Sequence, residues 1–296
     1  MNKVKTLFLI EANPDVDIFF NDWINRGYKA EVLFKRVNKP LRALRRLWLQ
    51  KGLLKSEIWY GDWFKNLINY DTIIIHMSKL TRYMPFIIRK KYPNIRIIGW
   101  YWNTIDNNTK PIETEDKNIE YYSFDENDCI EYGLKKNIQY YCDPLVLEKR
   151  TNKSDIYFIG RSKGRKEKIQ EIKRICEDNK LKCDFNVIED SSNDIIPYSE
   201  VKKKLLETKS ILEINKKNQI GYTLRALESL FYEIKLITDN KYIKQAPFYN
   251  KDNIFIVDED EYVNLYDFIN KPYNHSVDKY KKEYDLDRWF NNFSKE

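Results

Sequence analysis

Apolar positions along this chain come in short runs set between stretches of helical period, and the alternation restarts once. Runs at 4–10, 29–34, 70–76, 95–102 and 119–124 read as strands, with helices over 15–25 and 78–91 and a short helix capped by Asp125 and stopped at Gly133. Residues 72–75, Thr-Ile-Ile-Ile, are apolar without a break, as a strand covered on both faces requires. From residue 155 the pattern resumes with strands at 155–160, 181–187, 211–214, 235–238 and 253–257, and helices over 166–179, 198–208, 221–232, 261–270 and 278–293. Strands alternating with helices build parallel sheets. The reading is therefore an α/β protein of two Rossmann-like domains, 1–145 and 146–275, divided in the polar stretch 143–154, with a final helix in 276–296 placed to fold back on the first domain.

The stretch 211–240 is the most informative. On its predicted helix, Gly221, Arg225 and Glu228 are spaced by four and three and share one face, while Leu224, Leu227, Leu230 and Phe231 form the apolar side. Ligands of such sheets bind beyond the carboxyl ends of the strands, where helix N-termini suit phosphate. A side-chain amide (Gln219), a close approach (Gly221), a hydroxyl (Thr223), a guanidinium (Arg225) and a carboxylate (Glu228) suit an anionic, hydroxyl-rich ligand such as a nucleotide sugar. The same letters also read as a solvated i, i+3 ion pair after a turn glycine. Gly160, Lys163 and Arg165, between a strand and a helix, form either a pyrophosphate cradle or a solvated basic turn. Neither a Walker A motif nor a GxGxxG fingerprint is present.

Composition adds a soluble globular character: 296 residues, 42% hydrophobic, 33% charged, with a net charge of +7. Four cysteines without metal-ligand spacing read as thiols in a reducing cytoplasm. No secretory signal opens the chain and no apolar run approaches the roughly 18 residues of a membrane span, so any membrane relation is peripheral, at the inner face. The segment 34–64 changes this picture. Eight basic residues, among them Arg42, Arg45 and Arg46, precede the first acidic one, Glu57, and are interleaved with Leu41, Leu44, Leu47 and Trp48. Such a surface sits on anionic headgroups, each cation contributing on the order of 1 kcal/mol. The alternative is an ordinary helix whose leucines pack on the core. No RNP, KH or zinc-finger pattern accompanies the segment, so no nucleic-acid partner is expected.

Ser123-Phe124-Asp125 with Asp128 and Tyr132-Gly133-Leu134, Gly160 with Lys163 and Arg165, and Gln219-x-Gly221-x-Thr223-x-Arg225-x-x-Glu228 resemble bacterial GT-B glycosyltransferases of capsule, exopolysaccharide or lipopolysaccharide assembly. The resemblance implies a GT-B-like fold, two Rossmann-like domains facing each other across a cleft. It also implies sugar transfer from a nucleotide-diphosphate sugar to a lipid-linked saccharide. By that analogy Glu228 receives sugar or ribose hydroxyls, Lys163 and Arg165 the diphosphate, and the 221–223 turn a phosphate or sugar oxygen. The E-x7-E signature of many retaining members is broken, since Ile220 stands eight before Glu228. Asp258-Glu259-Asp260 fits a metal-binding DxD by letters but precedes a helix and reads as an acidic cap. No metal or further cofactor is expected, the leaving charge falling to Lys163, Arg165 and Arg225. An inverting enzyme needs a general base, and the strand ends offer His76 first, then Glu11 and Asp106. His76 also reads as a residue that merely ends a strand. A nucleotide-sugar epimerase or hydrolase, or a non-catalytic protein binding anionic surfaces or nucleic acid, are the competing functions.

Overall fold

The computed structural model describes residues 1–11, 19–142, 151–192, 196–216 and 219–294. Residues 15–18 of the first predicted helix and 143–150 of the predicted boundary lie outside them. The chain forms two compact units, Met1–Ile138 with Phe290–Glu296, and Gln139–Trp289.

In the first unit, β1 (Thr6–Ile10), β2 (Lys29–Val32), β3 (Thr72–His76), β4 (Arg96–Tyr101), β5 (Ile119–Ser123) and β6 (Lys135–Lys136) form a sheet of order β2-β1-β3-β4-β5-β6. All its pairings are parallel. Successive strand residues point to opposite faces, and both faces are buried. Leu7, Leu9, Ile73, Ile75 and Ile97 join one core with Trp63 and Ile88. On the other side Phe8 meets Trp23 at 4.8 Å, Tyr28 at 5.5 Å and Phe290 at 6.0 Å between ring centres. Phe293 packs edge-on to Tyr122 at 4.9 Å, and its carbonyl accepts from Arg96 Nη2 at 2.9 Å.

The helices of this unit are α1 (Phe20–Asn25), α2 (Lys39–Gln50), α3 (Met84–Lys91) and α4 (Glu126–Tyr132). Asp125 caps α4 by accepting the amides of Asn127 and Asp128, and Gly133 closes it in the left-handed region, both as predicted. The expectation that the α2 leucines pack on the core fails. Leu41, Leu44 and Leu47 are 42%, 46% and 58% exposed, and only Leu49 of this helix is buried.

In the second unit, β7 (Ser154–Arg161), β8 (Cys183–Ile188), β9 (Thr208–Glu213), β10 (Lys235–Thr238) and β11 (Ile254–Ile256) take the order β11-β10-β9-β7-β8, again all parallel. Its helices are α5 (Lys166–Asp178), α6 (Tyr198–Leu206), α7 (Leu224–Tyr232) and α8 (Leu265–Asn270). The single helix predicted over 278–293 is instead a 3-10 segment, His275–Tyr284, followed by α9 (Leu286–Asn292). The break has a cause: Asp285 is extended because Tyr141 forms a parallel bridge with it and donates its amide to the Tyr284 carbonyl at 2.8 Å. Among the described residues no helix is long and apolar enough to cross a membrane.

Gly99 in β4 is where the first sheet has no room for a side chain, since a Cβ there would lie 2.5 Å from the Tyr121 ring and 3.0 Å from Met77 Cγ. Gly99→Ala is expected to cost roughly 1–3 kcal/mol through overpacking, read by urea denaturation.

Candidate functional site

The carboxyl ends of β7, β9 and β10 gather polar groups in the second unit. Glu213, the last residue of β9, is fully buried and accepts the hydroxyls of Thr223 and Thr238; burial raises its pKa. Thr223 also caps α7, its oxygen accepting the Arg225 amide at 3.0 Å. The helix therefore begins at Leu224 and not at Gly221, so Gly221 does not share a helical face with Arg225 and Glu228. Beside β10, Asp239 accepts the Asn215 amide at 2.8 Å, and burial raises its pKa too.

Arg225 and Glu228 do meet, but beneath the surface. Glu228 is fully buried, one carboxylate oxygen held by Arg225 and the other by the Tyr198 hydroxyl at 2.6 Å, with Tyr141 hydrogen-bonded to Tyr198 at 2.7 Å. Arg225 Nη2 donates to the Ile159 carbonyl of β7 at 3.2 Å. The expected solvated pair is thus a buried one. The expected contact of Glu228 with ligand hydroxyls does not hold, because both its oxygens are occupied and no part of it is exposed. Helix α7 is buried from Ala226 to Tyr232, so the outward-looking polar face predicted for it does not exist.

The loop after β7 separates into scaffold and an exposed cation. Arg165 gives Nε to the Ser162 carbonyl at 3.3 Å, Nη2 to the Arg161 carbonyl at 2.9 Å and Nη1 to the Ile214 carbonyl, and it faces the charges of Asp239, Asp190 and Glu213. Its part is to tie the ends of β7 and β9 rather than to reach outward for a diphosphate. Arg161 likewise binds the carbonyls of Glu189 and Ser192, at 3.1 and 3.0 Å. Lys163 is exposed and held in the left-handed region, φ 42°, by its amide on Asp190 Oδ1 at 3.0 Å. Its ammonium is pushed below the usual lysine value, first by the protein packed about it and then by Lys216 and Arg165. Gly160 and Gln219 border the same strand ends, half-exposed.

In the first unit, His76 ends β3 between Trp23 and Trp102, each 5.6 Å away between ring centres. Its Nε2 is buried with no hydrogen-bond partner among the described residues, and burial lowers its pKa to about 4. A base that weak is poorly matched to neutral pH. Asp106 is exposed, its Oδ1 accepting the amides of Asn108 and Thr109 at 2.8 and 3.1 Å in a turn of its own. Glu11, at the end of β1, accepts from the Ser78 hydroxyl and opens on a cavity of 550 Å³ lined by Lys35, Arg36, Arg42 and Arg45. Arg42 and Arg46 are exposed. Arg45 and Trp48 turn inward: Arg45 donates to the Lys35 carbonyl at 2.7 Å and lies 4.9 Å over the Phe34 ring, and Trp48 Nε1 donates to the Leu54 carbonyl at 3.1 Å.

No family model matches the chain, and no curated protein matches it in sequence. Solved structures do match its fold. HepE (Alr3699) of Anabaena, solved with UDP and glucose, has a TM-score of 0.54 at 10% identity, covering 98% of each chain. An α-glucosyltransferase solved with UDP-glucose and DNA containing an abasic site has a TM-score of 0.54 at 11% identity and 98% of each chain. A glycosyltransferase of Rickettsia africae has a TM-score of 0.50 at 11%, over 99% of this chain and 97% of its own. The chain has the GT-B fold.

Glu213, Asp239, Tyr198 and Lys216 are the site residues that sequence reasoning missed. Glu213 and Asp239 each stand at a strand's carboxyl end, and that position, legible in the sequence, could have found them. Tyr198 carried no signal, because its partner lies 30 residues away on another helix.

Two outcomes follow from the buried charges. Removing one partner of a buried ion pair strands the other, so Glu228→Gln is expected to destabilise by roughly 3–5 kcal/mol in urea denaturation. His76, at about 4 when folded and 6.5 when unfolded, binds fewer protons in the folded chain between those values. Stability is therefore complete above about pH 6.5 and falls toward pH 4 by up to about 3 kcal/mol, and His76→Leu is expected to flatten that slope in denaturation curves taken across the window.

Proposed function

We propose that this protein is a glycosyltransferase that moves a sugar from a nucleotide-diphosphate sugar to a lipid-linked saccharide in bacterial surface polysaccharide assembly. The observation that carries the reading is Lys163, exposed in the loop that follows β7 and fixed in the left-handed region by its amide on Asp190 Oδ1 at 3.0 Å. An exposed ammonium beyond a strand's carboxyl end suits a diphosphate. The fold shared with glycosyltransferases supports it, and HepE and the α-glucosyltransferase were solved with UDP and with UDP-glucose.

In this reading the acceptor oxygen bonds to the anomeric carbon as the bond from that carbon to the diphosphate breaks. The nucleoside diphosphate leaves, and Lys163 helps to balance its charge without recourse to a metal ion. The acceptor proton goes to Glu11, which replaces His76 as the preferred base because Glu11 stands at an open cavity while the His76 nitrogen is enclosed and weakly basic. Gln219, Gly221 and Thr223 border the donor, and Arg225 and Glu228 hold α7 in place beneath it. The exposed Leu41, Leu44 and Leu47 with Arg42 and Arg46 support a peripheral contact with the anionic inner face of the cell membrane.

A nucleoside diphosphate is expected to raise the melting temperature of the wild type, and Lys163→Glu to abolish that rise. Glu11→Gln is expected to lower turnover by roughly 10²–10⁴-fold with donor affinity intact. A wild type unmoved by uridine, guanosine, thymidine or cytidine diphosphates would refute the donor reading.

A further inference from the structure

A second cavity of the first unit, 780 Å³ in volume, lies between the end of α2 and α3. That is the size of a small-molecule site, roughly 300–1,000 Å³. Its walls are Leu53, Leu54, Phe64, Phe86, Ile87 and Ile112. Lys55, Lys90 and Lys91 also line it, against a single carboxylate, Glu57.

The turn that carries Leu53 and Leu54 is fixed. Gly52 and Leu53 donate to the carbonyls of Leu49 and Trp48 at 3.1 and 3.2 Å, Ser56 Oγ binds the Leu53 carbonyl at 2.5 Å, and Trp48 Nε1 binds that of Leu54. Gly52 is pressed on the Tyr83 ring, where a Cβ would approach to 2.9 Å. A turn so tied still presents Leu54 with 86% of its surface in solvent. Lys91 lies 4.6 Å over the Phe64 ring, and among the described residues none of the three lysines makes an ion pair. Residues 32–56 contain no acidic residue at all. An apolar trough with unneutralised ammonium groups matches a small amphiphile with an anionic head, and an alkyl or isoprenoid chain that ends in phosphate is one.

We propose that this groove binds one molecule of a phosphate-headed lipid, its chain against Leu53, Leu54, Phe86 and Ile87 and its phosphate on Lys55, Lys90 and Lys91. Resting on the reading of the acceptor as lipid-linked, the inference makes the groove the seat of the acceptor's lipid.

The test is isothermal titration of the full chain with dodecyl phosphate below its micelle-forming concentration, beside butyl phosphate and dodecyl maltoside. Binding of dodecyl phosphate at least tenfold tighter than of either control is expected. Leu54→Asp and Lys90→Glu, both at exposed positions, are each expected to weaken it at least tenfold. Equal binding of dodecyl maltoside, unchanged affinity in both variants, or binding to anionic vesicles with none to the monomeric lipid would overturn the groove. A wild type that binds dodecyl phosphate but no nucleoside diphosphate upholds the groove and overturns the transferase reading alone.

Discussion

A carboxylate cannot be left ionised inside a protein without a partner, and at Glu228 that constraint organises the whole second unit. The residue is fully buried on α7, so a cation and a hydroxyl must come to it: Arg225 from one turn earlier and Tyr198 from α6. Arg225 spends a second N–H on the Ile159 carbonyl, which fixes the start of α7 against β7. Three elements distant in sequence are thereby held to within a hydrogen-bond length. Arg165 repeats the device one layer higher, joining the carbonyls of Arg161 and Ile214 and so the ends of β7 and β9. With the arginines used as ties, Lys163 stays exposed beside the end of β7. Arginine suits the tying role because its planar fork serves several carbonyls at once, whereas a lysine ammonium acts as a compact point charge toward an anion.

The first unit reaches its order by different means. Its central strands are apolar on both faces, and aromatic rings in tilted, edge-on and stacked contacts surround Phe8 where the second unit has charged ties. Enclosure of this kind also decides the chemistry of His76. Set between two tryptophans with Nε2 shut away, it stays neutral and gives up the basicity that its position at a strand end suggested. Glu11, at the end of the neighbouring strand, is exposed and opens on a cavity lined by Lys35, Arg36, Arg42 and Arg45 together with Val32, Phe34 and Val37.

The sequence was most legible where local rules act alone. The run 235–238 is strand β10 to the residue, and Asp125 and Gly133 bracket α4 because caps depend on a few adjacent positions. Legibility failed where a distant group intervened. Thr223 starts α7 because its hydroxyl also answers Glu213, ten residues earlier. The final helix breaks because Tyr141 claims the Tyr284 carbonyl. The spacing of Arg225 and Glu228 was read correctly as a pair, yet period alone does not say which side of a helix faces solvent when the helix is buried all round.

Net charge was misleading in a more instructive way. Read as +7 spread over 296 residues it suggests interspersed, mutually compensating ions, but residues 32–56 hold eight basic residues and no acidic one, leaving 44 basic against 45 acidic elsewhere. The whole excess belongs to one segment. That segment also carries the leucines that the core does not cover, from Leu41 to Leu54. Uncovered apolar area and unneutralised charge each carry a cost in water, and a fold had the means to remove both by placing leucines inward or a glutamate nearby. Their coincidence on a turn fixed by four hydrogen bonds marks a surface shaped for an occupant that is itself both apolar and anionic.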